Sequence, residues 1–344
     1  MVADARNDAS SPTSRPRELP PRVSMATVAA RAGVSGQTVS RVVNGSPRVD
    51  PETRARVESA MAELGYRPHR AARALRTGRS QTIGLVATTL ATVGNSRMLQ
   101  ATAEAAAERG YALTVVSAAQ GVEEAFDRLA EQEVDGAVVL NEASALVPGA
   151  RPPGGLRLVV VDAPAGGSFV SVHSDHRGGA VAATTRLLEL GHPTVHHLAG
   201  PVDSFAASER EQGWSAALDA AGVVRPEVVR GDWSADAGFA AGPALAAASA
   251  VFCANDQMAL GVLRWFAEAG RRIPEDVSVV GFDDVPDAAN FRPPLTTVRQ
   301  DFRALAERAV ATLVAEIEGD VASLPPGPVV PTRLIERAST APRQ

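Results

Sequence analysis

The chain has no lysine, and all 34 of its basic residues are arginine. We read that as a composition bias without functional meaning. It has one cysteine, Cys253, which excludes an internal disulfide framework and a cysteine-based zinc site. A reducing cytoplasm is the expected compartment. No apolar run approaches the roughly 20 residues of a membrane span, and the arginine-bearing N-terminus lacks the apolar stretch of a secretory signal. Several signatures of catalysis are also missing, namely the Gly-Lys-Ser/Thr phosphate loop, the His-Glu-x-x-His pair and the Gly-x-Ser-x-Gly elbow. An enzyme is therefore not expected, nor is a cofactor. His192, His196 and His197 suggest a metal, but neighbouring strand residues 196 and 197 point to opposite faces, so none is expected.

What is present is an ordinary globular composition, 45% hydrophobic and 21% charged over 344 residues. That length suits a short module joined to a larger two-lobed domain. The net charge of −5 conceals an asymmetry. Residues 1–80 hold fourteen arginines against seven acids, and residues 81–344 hold twenty against thirty-two. A basic head on an acidic body fits a nucleic-acid module joined to a regulatory domain.

Residues 1–22 are rich in Ser, Pro, Arg and Asp without periodicity and are expected to be a disordered tail. Residues 23–68 then read as three helices. Ser24 or Thr27 caps the first, which runs through Ala32; Gly33-Val34-Ser35 is a tight break. Ser35 caps the second, which ends near Asn44, and the third opens on Pro51 and closes at Gly65. From Gln81 the chain alternates short apolar runs with helical ones. Strands are predicted at Thr82–Ala87, Ala112–Ser117, Gly136–Leu140, Leu158–Asp162, Val195–Ala199, Val228–Arg230, Ala250–Ala254 and Val277–Phe282. Helices fit at 97–109, 122–132, 178–190, 206–221, 235–248, 257–269 and 302–318. Apolar strands separated by helices imply parallel sheets covered on both faces. So many units exceed one sheet, so the fold class is α/β, with two doubly wound parallel-sheet lobes behind an all-α head.

Two short helices around a three-residue turn form a helix-turn-helix, whose second helix enters the DNA major groove. Its leading residues are Gly36, Gln37, Thr38, Ser40 and Arg41. Gln37 suits adenine and Arg41 suits guanine in bidentate pairing. Ser35, Thr38 and Ser40 suit phosphates.

The run Met25 to Ser35, followed by Gln37-Thr38-Val39-Ser40-Arg41-Val42-Val43-Asn44-Gly45 and Leu64-Gly65-Tyr66-Arg67-Pro68, resembles the N-terminal signature of the lactose repressor family. That resemblance adds Thr27 and Asn44 to the DNA-contacting set. It also implies that residues 69–80 are a hinge helix ordered on operator DNA, with His69, Arg70, Arg73 and Arg76 near phosphates and Leu75 wedged into the minor groove. Family members commonly carry a large side chain where this chain has Gly36, so the base preference at that step does not carry over.

Residues 81–341 resemble the family's periplasmic-binding-protein-like core, through Leu190-Gly191-His192, Leu198-Ala199-Gly200-Pro201, Val279 to Asp284 and Pro293 to Val298. The expected lobes are 81–174 with 302–328, and 175–301 with 329–341. Ligands of such sheets sit beyond the carboxyl ends of the strands, where Asp162, Trp233, Asn255 and Asp283 lie, with Arg210 on a following helix. Carboxylates, an amide and one arginine suit neighbouring hydroxyls, and a tryptophan face suits the CH side of a sugar ring. By resemblance, Gln300 and Phe302 line the same pocket. Segments such as Gly231-Asp232-Trp233-Ser234-Ala235 and Ala254 to Gly261 resemble the lactose-responsive branch and imply a galactoside. Val172 to Asp175-His176 departs from the commoner Val-Asp-Asn and leaves the pocket floor open.

The expected protein is thus a homodimeric repressor of a palindromic operator, lacking the leucine-heptad helix that joins dimers, and released by a sugar. Alternatives are another sugar, a nucleobase, activation in place of repression, and a sugar-binding transport protein, although the last would need a secretion signal and no DNA head.

Overall fold

The computed structural model describes residues 23–43, 45–66, 78–147, 149–164, 169–320 and 327–343. The expected tail (1–22), Asn44, and the hinge residues His69, Arg70, Arg73, Leu75 and Arg76 lie outside the described residues. The chain divides into two compact units, Met1–Gly78 and Arg79–Gln344.

In the first unit, helices α1 (Met25–Ala32), α2 (Gly36–Val43) and α3 (Pro51–Leu64) enclose a small core of Val28, Ala29, Val39, Val42, Val57, Ala60 and Tyr66. The boundaries are set by caps. The Ser24 hydroxyl accepts from the Thr27 amide at 3.2 Å, the Ser35 hydroxyl from the Thr38 amide at 3.1 Å, and Asp50 from the Thr53 amide at 2.9 Å. Each satisfies a donor the helix itself cannot, and each cap contributes about 1 kcal/mol. Gly33 turns the chain after α1 in the left-handed region (φ 66°) that a side chain disfavours.

The second unit contains two six-stranded sheets. The first carries β1 (Thr82–Ala87), β2 (Ala112–Ser117), β3 (Gly136–Val139), β4 (Arg157–Val161), β5 (Val170–Ser174) and β11 (Val329–Val330), in the order β11-β5-β4-β3-β1-β2. Helices α4 (Val93–Glu108), α5 (Val122–Glu131) and α10 (Phe302–Glu318) cover it. The second carries β6 (His196–Ala199), β7 (Val229–Arg230), β8 (Ala250–Cys253), β9 (Ser278–Asp283), β10 (Thr296–Arg299) and β12 (Arg333–Ile335), in the order β12-β10-β9-β8-β6-β7. It is covered by α6 (His176–Glu189), α7 (Phe205–Ala221), α8 (Ala235–Ala240) and α9 (Asp256–Glu268). The chain therefore passes between lobes three times, after Ser174, after Arg299 and after Val330.

The two-lobed α/β architecture matches expectation, with four differences. The second sheet is not wholly parallel, because β12 runs antiparallel to β10. The third crossing falls two residues after the expected boundary at 328, since Val329 and Val330 pair with His173 and Ser174 at the edge of the first sheet. The helix expected over 235–248 stops at Ala240, and Pro243, which lacks an amide hydrogen, tightens the chain into a 3-10 turn at Gly242–Leu245. Strands β5, β10, β11 and β12 fall outside the predicted strands. Their outlines come from pairing with neighbours rather than from local hydrophobic pattern.

Candidate functional site

On α2, Val39 and Val42 face the head core, leaving Gly36, Gln37 and Arg41 exposed on the opposite side, with Thr38 and Ser40 half-buried. Ser35 and Thr38 bond each other through their hydroxyls at 3.0 Å as part of the cap. Thr27 bonds Ser24 in the same way at 2.9 Å. Gly36, Gln37 and Arg41 thus share the exposed side of α2 with Ser35 at its N-terminal rim, whereas Thr27 lies on α1.

In the core, all seven predicted ligand residues line one narrow cavity of about 50 Å³: Asp162, Arg210, Trp233, Asn255, Asp283, Gln300 and Phe302. Asp162 leaves β4 in the first lobe, whereas Asp283 ends β9 and Asn255 follows β8 in the second. Among the described residues, seven non-glycine residues have positive φ, and four of these line this cavity: Asn141, Asp162, Trp233 and Asp283. Such conformations cost about 1–3 kcal/mol each and persist where surrounding structure holds them for function.

Arg210 is the centre of the arrangement. Buried on α7, its guanidinium donates to the Ala254 carbonyl, reaches His176 Nδ1 at 3.2 Å, lies 3.6 Å from Asp283 Oδ1 and sits 3.9 Å above the Phe282 ring. His176 Nε2 is 2.8 Å from Asp162 Oδ1, and Gln300 Nε2 donates to Asp283 Oδ1 at 2.6 Å. Two acids in one cavity are consequently driven apart. Burial would raise the Asp162 carboxyl, but His176 and Arg210 hold it below its usual value. Burial of Asp283 prevails over Arg210 and Gln300, and its carboxyl is raised.

Trp233 is buried with its ring 5.5 Å from the Arg210 guanidinium, and its indole Nε1 has no hydrogen-bond partner. Gln300 Oε1 is likewise buried without a partner. A donor and an acceptor held unsatisfied on residues lining one cavity are what a hydroxyl-bearing ligand can use. Asn255 lines the cavity and is also tied into its wall. Its carbonyl caps α9 by accepting from Met258 N at 2.9 Å, and its amide donates to the Trp233 carbonyl at 2.9 Å, so it fixes the wall. Asp256, the first residue of α9, accepts from the Thr297 hydroxyl and the Val285 amide.

Sequence reasoning missed Thr92, Gly94, Asn141, Ser204 and Gln257, which also line the cavity, and His176, which stands behind it. His176 lies two residues beyond the end of β5, after Asp175, and the strand-end rule finds it only once β5 is known. His197, one of the suggestive histidines, stacks between Trp214 and Phe252, and burial lowers its pKa to about 4. Among the described residues, no cluster of three or more acid, histidine or cysteine side chains could hold a metal ion, and no helix is long and apolar enough to cross a membrane.

A helix-turn-helix head and a two-lobed core enclosing a polar cavity define a ligand-responsive DNA-binding regulator. The chain belongs to the LacI family of bacterial regulatory proteins. Residues 24–69 match that family's DNA-binding model, and residues 184–340 match a periplasmic binding protein-like domain. The chain is 38% identical to the HTH-type transcriptional regulator CelR of Thermobifida fusca, over 92% of this chain and 98% of the relative. It is 36% identical to the lactose operon repressor of Escherichia coli K12, over 92% and 91% respectively. Among solved structures, it is similar to the lac repressor dimer bound to operator and the anti-inducer ONPF (TM-score 0.82, 33% identity, 93% of this chain and 99% of that one). It is also similar to a complex of the regulator CelR with cellobiose (TM-score 0.70, 36% identity, 92% and 100%).

Proposed function

We propose that this protein is a dimeric transcription repressor that reads a palindromic operator through α2 and releases it when a neutral sugar binds between the lobes. The observation that carries this is the convergence of Asp162, Arg210, Trp233, Asp283 and Gln300, from two separate sheets, on one cavity. A ligand there touches both lobes at once, so it has a differential affinity for their relative positions. That difference is what shifts a two-state equilibrium; a preference of a few kcal/mol suffices.

Polar groups in the cavity come in opposite kinds: carboxylates and Gln300 Oε1 accept, while Arg210 and the Trp233 indole donate. Vicinal hydroxyls satisfy both, and the indole and Phe302 faces suit the CH side of a pyranose. With two acids against one arginine, a phosphorylated ligand is disfavoured. Within sugars, a β-linked glycoside is the leading class, with a galactoside first and cellobiose the competitor that the CelR similarity brings forward.

On α2, Gln37 and Arg41 serve as base readers, with Thr27, Ser35, Thr38 and Ser40 as phosphate contacts. Gly36 reads no base. The test is operator selection from a random duplex library with the full chain, followed by release assays with galactosides, cellobiose, glucosides and nucleobases. Release by a glycoside at a stoichiometry of one per chain is expected. Release by a nucleobase alone rejects the sugar effector, and failure to select any palindrome rejects the repressor.

A further inference from the structure

Arginine has only donors. Arg210 approaches His176 Nδ1 with Nε at 3.4 Å and its terminal nitrogen at 3.2 Å. That ring nitrogen must therefore carry a lone pair, which puts the hydrogen of a neutral imidazole on Nε2, where it donates to Asp162 Oδ1 at 2.8 Å. His176 is buried, tilted against Phe282 at 6.0 Å and edge-on to Phe205 at 6.4 Å, so the ring cannot turn freely. It is the first residue of α6, at the first passage of the chain between lobes. One imidazole thus joins the acid of the first lobe to the arginine of the second.

We propose that His176, as its neutral Nε2–H tautomer, is the positioning residue for Arg210, and that loss of its Nδ1 acceptor withdraws Arg210 from the ligand and weakens effector binding. This rests on the reading of the cavity as the effector site. The charged and titratable groups around the ring are Asp162 beyond β4, His173 on β5, Asp175 preceding α6, Arg210 on α7 and Asp283 on β9. Asp162 alone bonds the ring on its far side, and it already does so with the neutral form.

The ring's two functions can be separated by substitution. In His176→Asn the amide oxygen takes the place of Nδ1, keeping the acceptor for Arg210 without a titratable group. In His176→Gln the amide nitrogen takes the place of Nε2, keeping the contact with Asp162 but leaving Arg210 without its acceptor.

Two measurements on the full chain decide the matter. The first is histidine-selective 15N NMR at pH 7.5 without ligand, with His176 assigned by its loss in His176→Asn. An Nε2–H tautomer is expected, and an Nδ1–H tautomer overturns the proposal whatever ligand the cavity takes. The second is calorimetric titration with cellobiose and with methyl β-galactoside at pH 8.0. His176→Asn should bind within a few-fold of the wild type, and His176→Gln should be weakened at least tenfold. Equal affinity of the two variants overturns the proposal. If neither sugar binds the wild type at pH 8.0, the sugar reading fails, and the tautomer still decides the role of His176.

Discussion

The six-membered ring of Trp233 occupies the space that a side chain on Gly200 would need: a Cβ there would lie 2.2 Å from Cη2 and 2.4 Å from Cζ2 of the indole. Gly200 follows β6, and Trp233 is held at φ 77° just beyond β7, so two neighbouring strand ends meet over a contact only glycine permits. Gly200→Ala should push the indole toward Arg210 and into the cavity. We expect a stability loss of about 1–3 kcal/mol, the usual range for overpacking, together with at least a tenfold loss of sugar affinity. Thermal denaturation and calorimetric titration measure the two effects. A variant that binds sugar normally would remove Trp233 from the ligand contacts.

Asp283→Asn tests the second lobe's acid. The isosteric amide keeps the cavity's shape and can still accept from Gln300, but it removes the charge 3.6 Å from the Arg210 guanidinium. Operator affinity in the absence of sugar should stay within a few-fold of wild type. Release by sugar should require at least ten times more ligand. Gel-shift titrations with and without sugar read both quantities, and normal induction would reject a role for Asp283 in ligand recognition.

Much of this site was legible because strand-end geometry and residue chemistry agree. Asp162, Asn255 and Asp283 each sit at the carboxyl end of an apolar run that could be outlined directly. Arg210 and Trp233 stood out as a buried-type partner and an aromatic near such ends. The capping role of Asn255 was not legible, since an asparagine before a helix can be a cap, a ligand contact or both, and the Met258 and Trp233 bonds show the first while the residue still lines the cavity. His176 was hidden for a different reason. Strand β5 reads Val170-Ser171-Val172-His173-Ser174 and draws its identity from neighbours β4 and β11. Without that strand the strand-end rule does not reach His176, and only the departure at Val172 to Asp175-His176 marks the segment.

Two buried acids should bend the stability–pH curve in opposite directions. Burial, reinforced by the nearby Asp283 charge, raises the Asp256 carboxyl well above 3.8. Its stabilising contribution is complete below 3.8 and is lost as pH rises through the folded value. Asp256→Asn, which can accept from the Val285 amide and donate to the Thr297 oxygen, should be at least as stable as wild type at pH 8 and gain least at pH 4. Asp162 is shifted the other way by His176 and Arg210, against the opposing effect of burial. Its contribution is present above 3.8 and disappears as pH falls through its lower folded value. Asp162→Asn should therefore lose most stability near neutrality and converge on wild type in strong acid. Denaturant unfolding across pH 3–8 compares all three proteins, and parallel curves would contradict both assignments.

On the recognition helix, Gly36 and Arg41 lie on the exposed face, and a Cβ at Gly36 meets no atom within 4 Å. Gly36→Ala should stabilise the head by about 0.5–1 kcal/mol through helix propensity alone, without altering which sequences are bound. Arg41→Ala should leave folding unchanged, because the side chain is exposed, yet cost about 1–3 kcal/mol on the selected operator and relax a single base position. Measuring each variant against a set of single-base operator substitutions separates the possibilities. If the Arg41→Ala penalty is the same on every sequence, Arg41 holds a phosphate, and Gln37 becomes the principal base reader. If Gly36→Ala shifts the preferred base, the backbone at Gly36 approaches the groove closely enough for a methyl group to be felt.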